Sequence, residues 1–270
     1  IYPVGQRGSS KESDIRLQGL RDNPTAQVLI IGGGINGIAT FRDLALQGAS
    51  VVLVEREDFC SGASAASSHM IHGGVRYLEN GEFRLVKESL QERNRLLASA
   101  PHYVKPLQTT MPIFTLFSGL LSAPLRILRH TQGKPQERGA VLIKVGLTLY
   151  DFFGRNGGRM PRHEFFGRKK SLKLFPELNK KVAFTATYYD AAMESPERLA
   201  LDTLKDGLAT GSHARAANYL SAVGMKDGGV VLRDSLTGQE FSFKAEVIIN
   251  TSGPWTDLTN QTLGRATSYM

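Results

Sequence analysis

Gln27-Val28-Leu29-Ile30-Ile31-Gly32-Gly33-Gly34-Ile35-Asn36-Gly37 is the stretch on which the fold turns. After Gln27 the run is wholly apolar, the pattern of a strand buried on both faces of a parallel sheet. Gly32-x-Gly34-x-x-Gly37 follows at once. A helix then fits Asn36 to Gln47, with Ile38, Phe41, Leu44 and Ala45 on one face and Gly48 as its stop. Val51 to Val54 is the next buried strand and runs into Glu55. Strand, glycine turn, helix and strand make a βαβ unit. A glycine-rich hexamer alone is a common accident, but this one has a strand before it, a helix after it and an acid closing the next strand. The first glycine permits the tight turn, the second lets the backbone approach a pyrophosphate, and the third lets helix and strand pack. Amides at the helix start, near Ile35 and Asn36, face phosphates with the helix dipole behind them. Glu55, 18 residues beyond Gly37, stands where an acid hydrogen-bonds a ribose hydroxyl and disfavours the ribose phosphate of NADP. The pattern predicts dinucleotide binding; it does not separate FAD from NAD.

Outward from this unit, residues 1–26 read as an N-terminal arm, with a short helix over Ser13 to Leu20 stopped at Asn23-Pro24. Residues 56–81 form a long loop rich in Gly, Ser and Ala, which argues for a functional segment. Helical periodicity returns over Glu82 to Ala100. Residues 107–190 are mixed, with an apolar run, Val141 to Phe153, that suits a buried helix. Glu197 to Ala209 is an amphipathic helix stopped by Gly211. Three short alternating segments follow, around Asn218 to Val223, Val230 to Asp234 and Glu240 to Lys244, the last two joined by the turn Leu236-Thr237-Gly238-Gln239. Ala245 to Asn250 is a further buried strand. The order predicts an α/β chain with a discontinuous nucleotide domain. Residues 27–106 form its first part, 107–190 an inserted segment, and 191–270 its second part with a β-meander.

Composition is that of a globular chain: 270 residues, 41% hydrophobic and 21% charged. One cysteine, Cys60, excludes an intrachain disulfide and fits either a reducing compartment or simply a fold with no need of one. It reads as a small packed residue rather than a reactive thiol. The net charge of +8 concentrates between Arg155 and Lys181. That stretch reads either as a solvated face or as a surface for an anionic partner. Its interleaved aromatics suit anionic lipid; nothing else supports nucleic acid. The longest apolar stretch, Met111 to Leu128, is interrupted by Pro112, Gly119, Pro124 and Arg126, short of the ~18 uninterrupted residues of a spanning helix. The N-terminal residues show no charged-then-apolar signal-peptide pattern, and the histidines have no metal-like spacing, so no metal is expected.

Ser61-Gly62-Ala63-Ser64-Ala65-Ala66-Ser67-Ser68-His69-Met70-Ile71-His72-Gly73-Gly74-Val75-Arg76-Tyr77-Leu78 is the most informative stretch outside the fingerprint. Its hydroxyls suit phosphate contacts, Gly73 and Gly74 let backbone lie against a flat ring, and Arg76 adds a permanent cation. On Ile30 to Gly37, on Ser64-Ala65-Ala66-Ser67-Ser68, on Ile71-His72-Gly73-Gly74-Val75-Arg76-Tyr77-Leu78-Glu79, on Glu82-Phe83-Arg84-Leu85-Val86, on Tyr188-Tyr189-Asp190-Ala191 and on Asn250-Thr251-Ser252-Gly253-Pro254-Trp255, the chain resembles the FAD-dependent glycerol-3-phosphate dehydrogenases and glycerophosphate oxidases. It departs at His69, where that family usually has Lys, and at Ser195-Pro196-Glu197-Arg198, where only the Arg matches Asn-Asp-Ala-Arg.

The resemblance implies an FAD-binding Rossmann-like domain with part of an inserted mixed α+β substrate domain. It also implies oxidation of sn-glycerol 3-phosphate to dihydroxyacetone phosphate. FAD contacts are expected from Gly32, Gly34, Ile35, Asn36, Gly37, Glu55, Arg56, Ser64, Ser67, Ser68, His72, Gly73, Gly74 and Gly253. Arg76 and Arg198 are the candidates for binding the phosphate or polarising the C2 oxygen. His72 either acts as a base or packs on the flavin ring, the second reading being favoured by its place beside the glycines. Family chains are considerably longer, so a further part of the substrate domain and the general base are expected beyond Met270. The expected location is cytoplasmic, peripheral at the inner membrane face, with a quinone or another electron acceptor; monomer and homodimer both stay open. The alternatives are a flavin oxidase of an amino or hydroxy acid, and an FAD-binding module without turnover.

Overall fold

The computed structural model describes residues 17–118, 139–154 and 160–267. The chain divides into two compact units, residues 1–67 with 195–270, and residues 68–194.

In the first unit, β1 (Thr25–Ile31) leads through the glycine turn into α1 (Ile35–Leu46) and then β2 (Val51–Val54). β1 and β2 pair in parallel, Val28 beside Val51 and Ile31 beside Val54. In the second unit, β3 (Met70–Ile71) is followed by a 3-10 turn (Val75–Asn80), α2 (Phe83–Ser99), β4 (Val104–Ile113), α3 (Ala140–Gly154), β5 (Glu164–Gly167), α4 (Arg168–Leu174) and β6 (Phe184–Met193). The chain then returns to the first unit with α5 (Pro196–Leu208), β7 (Ala214–Ala217), β8 (Leu220–Lys226), β9 (Gly229–Asp234), β10 (Glu240–Asn250), a 3-10 turn (Gly253–Trp255) and α6 (Thr256–Thr262).

The first unit's sheet runs β7-β2-β1-β10-β9-β8. Alternation splits its side chains between two cores. Ile30, Val51 and Leu53 meet Ile38, Phe41 and Ala45 of α1 and Ala200 and Leu204 of α5. Leu29, Ile31, Val52 and Val54 face the other way, onto Leu220, Val230, Leu232 and Phe243. Leu17 and Leu20, in a helical stretch at residues 17–22, join that second core. Burying a side chain such as Phe41 stabilises by roughly 1.5–3 kcal/mol. β10 is one strand where two were expected. Its first residues, Glu240 to Phe243, pair antiparallel with β9. From Lys244 onward it pairs in parallel with β1. The break expected before Ala245 is a change of neighbour, to which a one-dimensional pattern is blind.

In the second unit β6 is central: β4 pairs it along its whole length, and β5 and β3 share its other edge. Val86 and Leu90 of α2 pack with Leu147 and Tyr150 of α3 on Ile113, Ala186 and Tyr188. The unit therefore begins at Ser68, where the boundary was expected at 107, and ends at Glu194 rather than 190. The apolar stripe of α2 was legible, but which core it would join was not. α3 is half-exposed rather than buried: Val145 and Phe152 are 54% and 64% accessible. Short pieces of structure, β3 and a 3-10 turn, also interrupt the long loop expected over 56–81.

Candidate functional site: the dinucleotide pocket and the buried Gly73 turn

A cavity of about 330 Å³ opens at the carboxyl end of β1, where ligands bind in open α/β sheets. Its walls include Gly32, Gly34, Ile35, Asn36, Glu55, Arg56, Ser64 and Gly253. Eight expected cofactor contacts are thus gathered in one place. Gly37 lies beneath, buried in the first turn of α1, where a Cβ would collide with the Gly32 carbonyl oxygen. Gly32 itself has φ +114°, and a Cβ there would sit 2.7 Å from the Thr251 carbonyl.

Three local hydrogen bonds shape this wall. The Ile35 amide donates to Ser64 Oγ at 3.0 Å, which draws the serine-rich loop to the start of α1. The Glu55 carboxylate accepts from the Gly33 amide at 2.6 Å and from the Glu57 amide at 2.9 Å. Glu55 therefore tethers the glycine turn while also lining the cavity, and its carboxylate keeps lone pairs for a ribose hydroxyl. Cys60 is buried beside this turn and donates its amide to the Gly33 carbonyl at 2.9 Å. Burial, followed by the nearby Glu55 carboxylate, pushes its thiol up to about 11. That is the behaviour of a packed residue rather than a nucleophile.

Further wall residues come from the end of β10. Thr251 Oγ1 donates to the Gly32 carbonyl at 2.9 Å and to that of Ile31 at 3.1 Å. Trp255 lies under the Arg56 guanidinium, 4.4 Å from its ring centre. Spacing arguments missed both Thr251 and Trp255, because they stand far along the chain from the motif they complete; their place after a buried strand and within a block of family resemblance was the signal for them. Arg215 of β7 donates to the carbonyls of Gly19, Asn23 and Thr25.

The other expected residues lie elsewhere. Ser67 is exposed at the end of the first unit's opening segment, and Ser68 is exposed at the start of the second unit. Arg198 is exposed in the first turn of α5, outside the cavity wall. His72 is exposed in the second unit, Gly73 and Gly74 are buried there, and Arg76 lies in the 3-10 turn.

Beneath Gly73 is a set of polar groups that no spacing pattern announced. Arg93, Tyr150 and Asp190 are each only 2% accessible. The Gly73 amide donates to Tyr150 Oη and to Asp190 Oδ1, both at 3.0 Å. The Tyr150 hydroxyl donates to Asp190 Oδ1. Arg93 Nη1 reaches the same carboxylate at 3.4 Å and the Tyr189 carbonyl at 3.0 Å. Burial first, and the Asp190 charge second, drive the Tyr150 pKa far above the usual phenol range, so the hydroxyl stays a donor.

The FAD dependent oxidoreductase profile matches residues 27–269, nearly the whole chain. The chain belongs to that family. Among relatives, it is 36% identical over 244 residues to a glycerol-3-phosphate dehydrogenase of Synechocystis, covering 87% of this chain and 40% of that protein. It is 34% identical over 238 residues to a D-erythritol 1-phosphate dehydrogenase of Brucella abortus, covering 86% and 42%. The chain thus spans about two fifths of the length of these relatives. The fold is shared with the Bacillus halodurans glycerol-3-phosphate dehydrogenase solved with FAD, at TM-score 0.60 and 22% identity over 95% of this chain and 40% of that one. The cavity suits the family's cofactor: the turn at Gly32 and Gly37 has no room for side chains, and an acid closes β2.

Proposed function

We propose that this protein carries out FAD-dependent oxidation of a phosphorylated polyol, with sn-glycerol 3-phosphate as substrate and dihydroxyacetone phosphate as product. The observation that carries the reading is the dinucleotide cavity of an FAD dependent oxidoreductase chain. It is supported by two relatives whose names both specify a polyol phosphate. FAD, when bound, supplies the acceptor for the hydride leaving C2. The wall at Gly32, Gly34, Ile35, Asn36, Glu55, Arg56, Ser64 and Gly253 holds the cofactor, with Gly37 keeping α1 close enough for its amides to face the pyrophosphate. Ser67, Ser68, His72, Gly73 and Gly74 complete the cofactor contacts. Arg76 and Arg198 are assigned to the substrate phosphate or the C2 oxygen, because a guanidinium fork pairs bidentately with phosphate oxygens. His72 is assigned to packing on the flavin rather than to proton transfer.

Anaerobic addition of sn-glycerol 3-phosphate to the FAD-loaded protein tests this reading. The yellow flavin bleaches with that substrate and not with glycerol or lactate. Faster bleaching by D-erythritol 1-phosphate moves the substrate within the same class. Bleaching by an amino or hydroxy acid alone selects an acid oxidase, and flavin that nothing bleaches selects a binding module without turnover.

We also propose that electrons leave to a quinone at an anionic membrane surface. Supporting this, Arg162, Arg168, Lys169, Lys170, Lys173, Lys180 and Lys181 are all exposed. Among the described residues no helix is long and apolar enough to cross a membrane. Sedimentation with phosphatidylserine vesicles at low salt, lost at about 0.5 M salt, is the expected outcome.

A further inference from the structure

The turn that carries His72 and leads to Arg76 has little ordinary secondary structure to hold it. β3 pairs with β6 at two positions only, Met70 with Ala192 and Ile71 with Ala191. Two residues of ladder are too short to fix the turn beyond them. The next β6 residue back from Ala191 is Asp190, and its carboxylate takes over by accepting the Gly73 amide.

Stability alone is a poor reason for this arrangement. Replacing a buried ion pair with apolar groups of the same volume is often neutral or stabilising. Here a carboxylate, a guanidinium and a phenol are buried together where Leu90, Leu147 and Tyr188 show that an apolar core is at hand. What the polar set supplies, and an apolar set does not, is a directional bond to one backbone amide. Gly73 has no choice of residue either, since a Cβ there would collide with Tyr150 Oη and the Leu90 side chain.

We propose that Asp190, Tyr150 and Arg93 are positioning residues: they lock the Gly73 amide and so hold the His72–Arg76 turn in the one backbone conformation that oxidation requires. None of the three is assigned contact with substrate. Asp190 is the hub, Tyr150 shares the amide from α3, and Arg93 neutralises the carboxylate from α2 while tying down the Tyr189 carbonyl. This also gives the Tyr188-Tyr189-Asp190-Ala191 block a physical task, remote in sequence from the turn it serves. The proposal rests on the oxidation reading above.

The test uses the FAD-loaded protein with Tyr150→Phe, Asp190→Asn and a control, Leu147→Ala, which loosens the same core while removing none of the clamp's hydrogen-bonding groups. Two quantities are read: deuterium uptake of the peptide spanning residues 70–78, and the limiting rate and half-saturation of bleaching by sn-glycerol 3-phosphate. Tyr150→Phe and Asp190→Asn are expected to speed exchange of that peptide at least 10-fold. They are also expected to lower the limiting rate at least 10-fold, with half-saturation moving less. Leu147→Ala lowers the melting temperature while leaving the limiting rate within 2-fold well below melting. Unchanged exchange in both clamp variants overturns the proposal, as does faster exchange with a wild-type limiting rate. If Asp190→Asn does not fold, Tyr150→Phe, which removes one oxygen atom, decides alone. If the wild-type flavin is bleached by no polyol phosphate, the oxidation reading has failed, and the clamp stands or falls on the exchange data.

Discussion

The two glycine turns of this protein are tight for different reasons. At Gly32 and Gly37 the chain is crowded by backbone: the Gly32 carbonyl under α1 and the Thr251 carbonyl beside β1. At Gly73 it is crowded by side chains, Tyr150 and Leu90, and its amide is held by a buried charge. The first turn keeps an open polar face toward a cavity, and the second is sealed from below. A backbone-walled turn tolerates changes in its neighbours but not in its glycines. A side-chain-walled turn is vulnerable at both.

That contrast can be broken by experiment. The largest effect is expected from Asp190→Ala, which strands the Arg93 guanidinium without its carboxylate in the core. Loss of one partner of a buried pair costs about 3–5 kcal/mol, measurable by urea unfolding; a loss under about 1 kcal/mol would mean that the second turn does not depend on its charge. Next comes Gly37→Ala, whose methyl group meets the Gly32 carbonyl. Overpacking of this kind costs roughly 3 kcal/mol, and FAD affinity, followed by flavin fluorescence, should fall with it. Retained affinity would show that the backbone-walled turn can yield after all.

A smaller effect is expected at Cys60, which braces the first turn. Its folded pKa of about 11 lies above the ordinary thiol value of 9.0. The native state therefore keeps its proton where the unfolded chain has lost it. The associated stability is fully present below pH 9 and drains away as pH rises toward 11. Stability curves of the wild type and Cys60→Ala should converge across that window, and alkylation at neutral pH should run about 100-fold slower than for a free thiol. Parallel curves would place Cys60 in a wetter site. The smallest effect is expected from Arg56→Ala. Loss of its stacking on Trp255 costs about 0.5–1 kcal/mol at an exposed site. Trp255 is the single tryptophan of the chain, so its fluorescence reports the change directly.

The first turn was legible in the sequence because every requirement is local. The strand, the three glycines, the helix and Glu55 fall within 29 residues, Gln27 to Glu55, and each has a signature tied to backbone geometry. α1, β2, α2 and α5 were legible for the same reason, since periodicity reports which face of an element is apolar. Thr251 and Trp255 stood out only within a block of family resemblance, because nothing in the local pattern distinguishes a wall residue from any polar or aromatic residue after a strand. The clamp was hidden more deeply. Asp190 stands out in the sequence only within a block of family resemblance, and Arg93 sits in a helix whose other residues read as ordinary amphipathic surface.

Sequence by itself determined the nucleotide-binding half: an α/β unit with a glycine turn at residues 32–37 and an acid at residue 55. Hydrophobic period and glycine spacing are properties of neighbours along the chain, so they survive without coordinates. Tertiary structure alone decided that β10 is one strand with two kinds of neighbour, that the second unit starts at Ser68, and that a carboxylate 117 residues downstream holds the Gly73 amide. Those facts depend on which surfaces meet after folding. Burial of a charge is set by what surrounds it in space, which one-dimensional patterns do not carry.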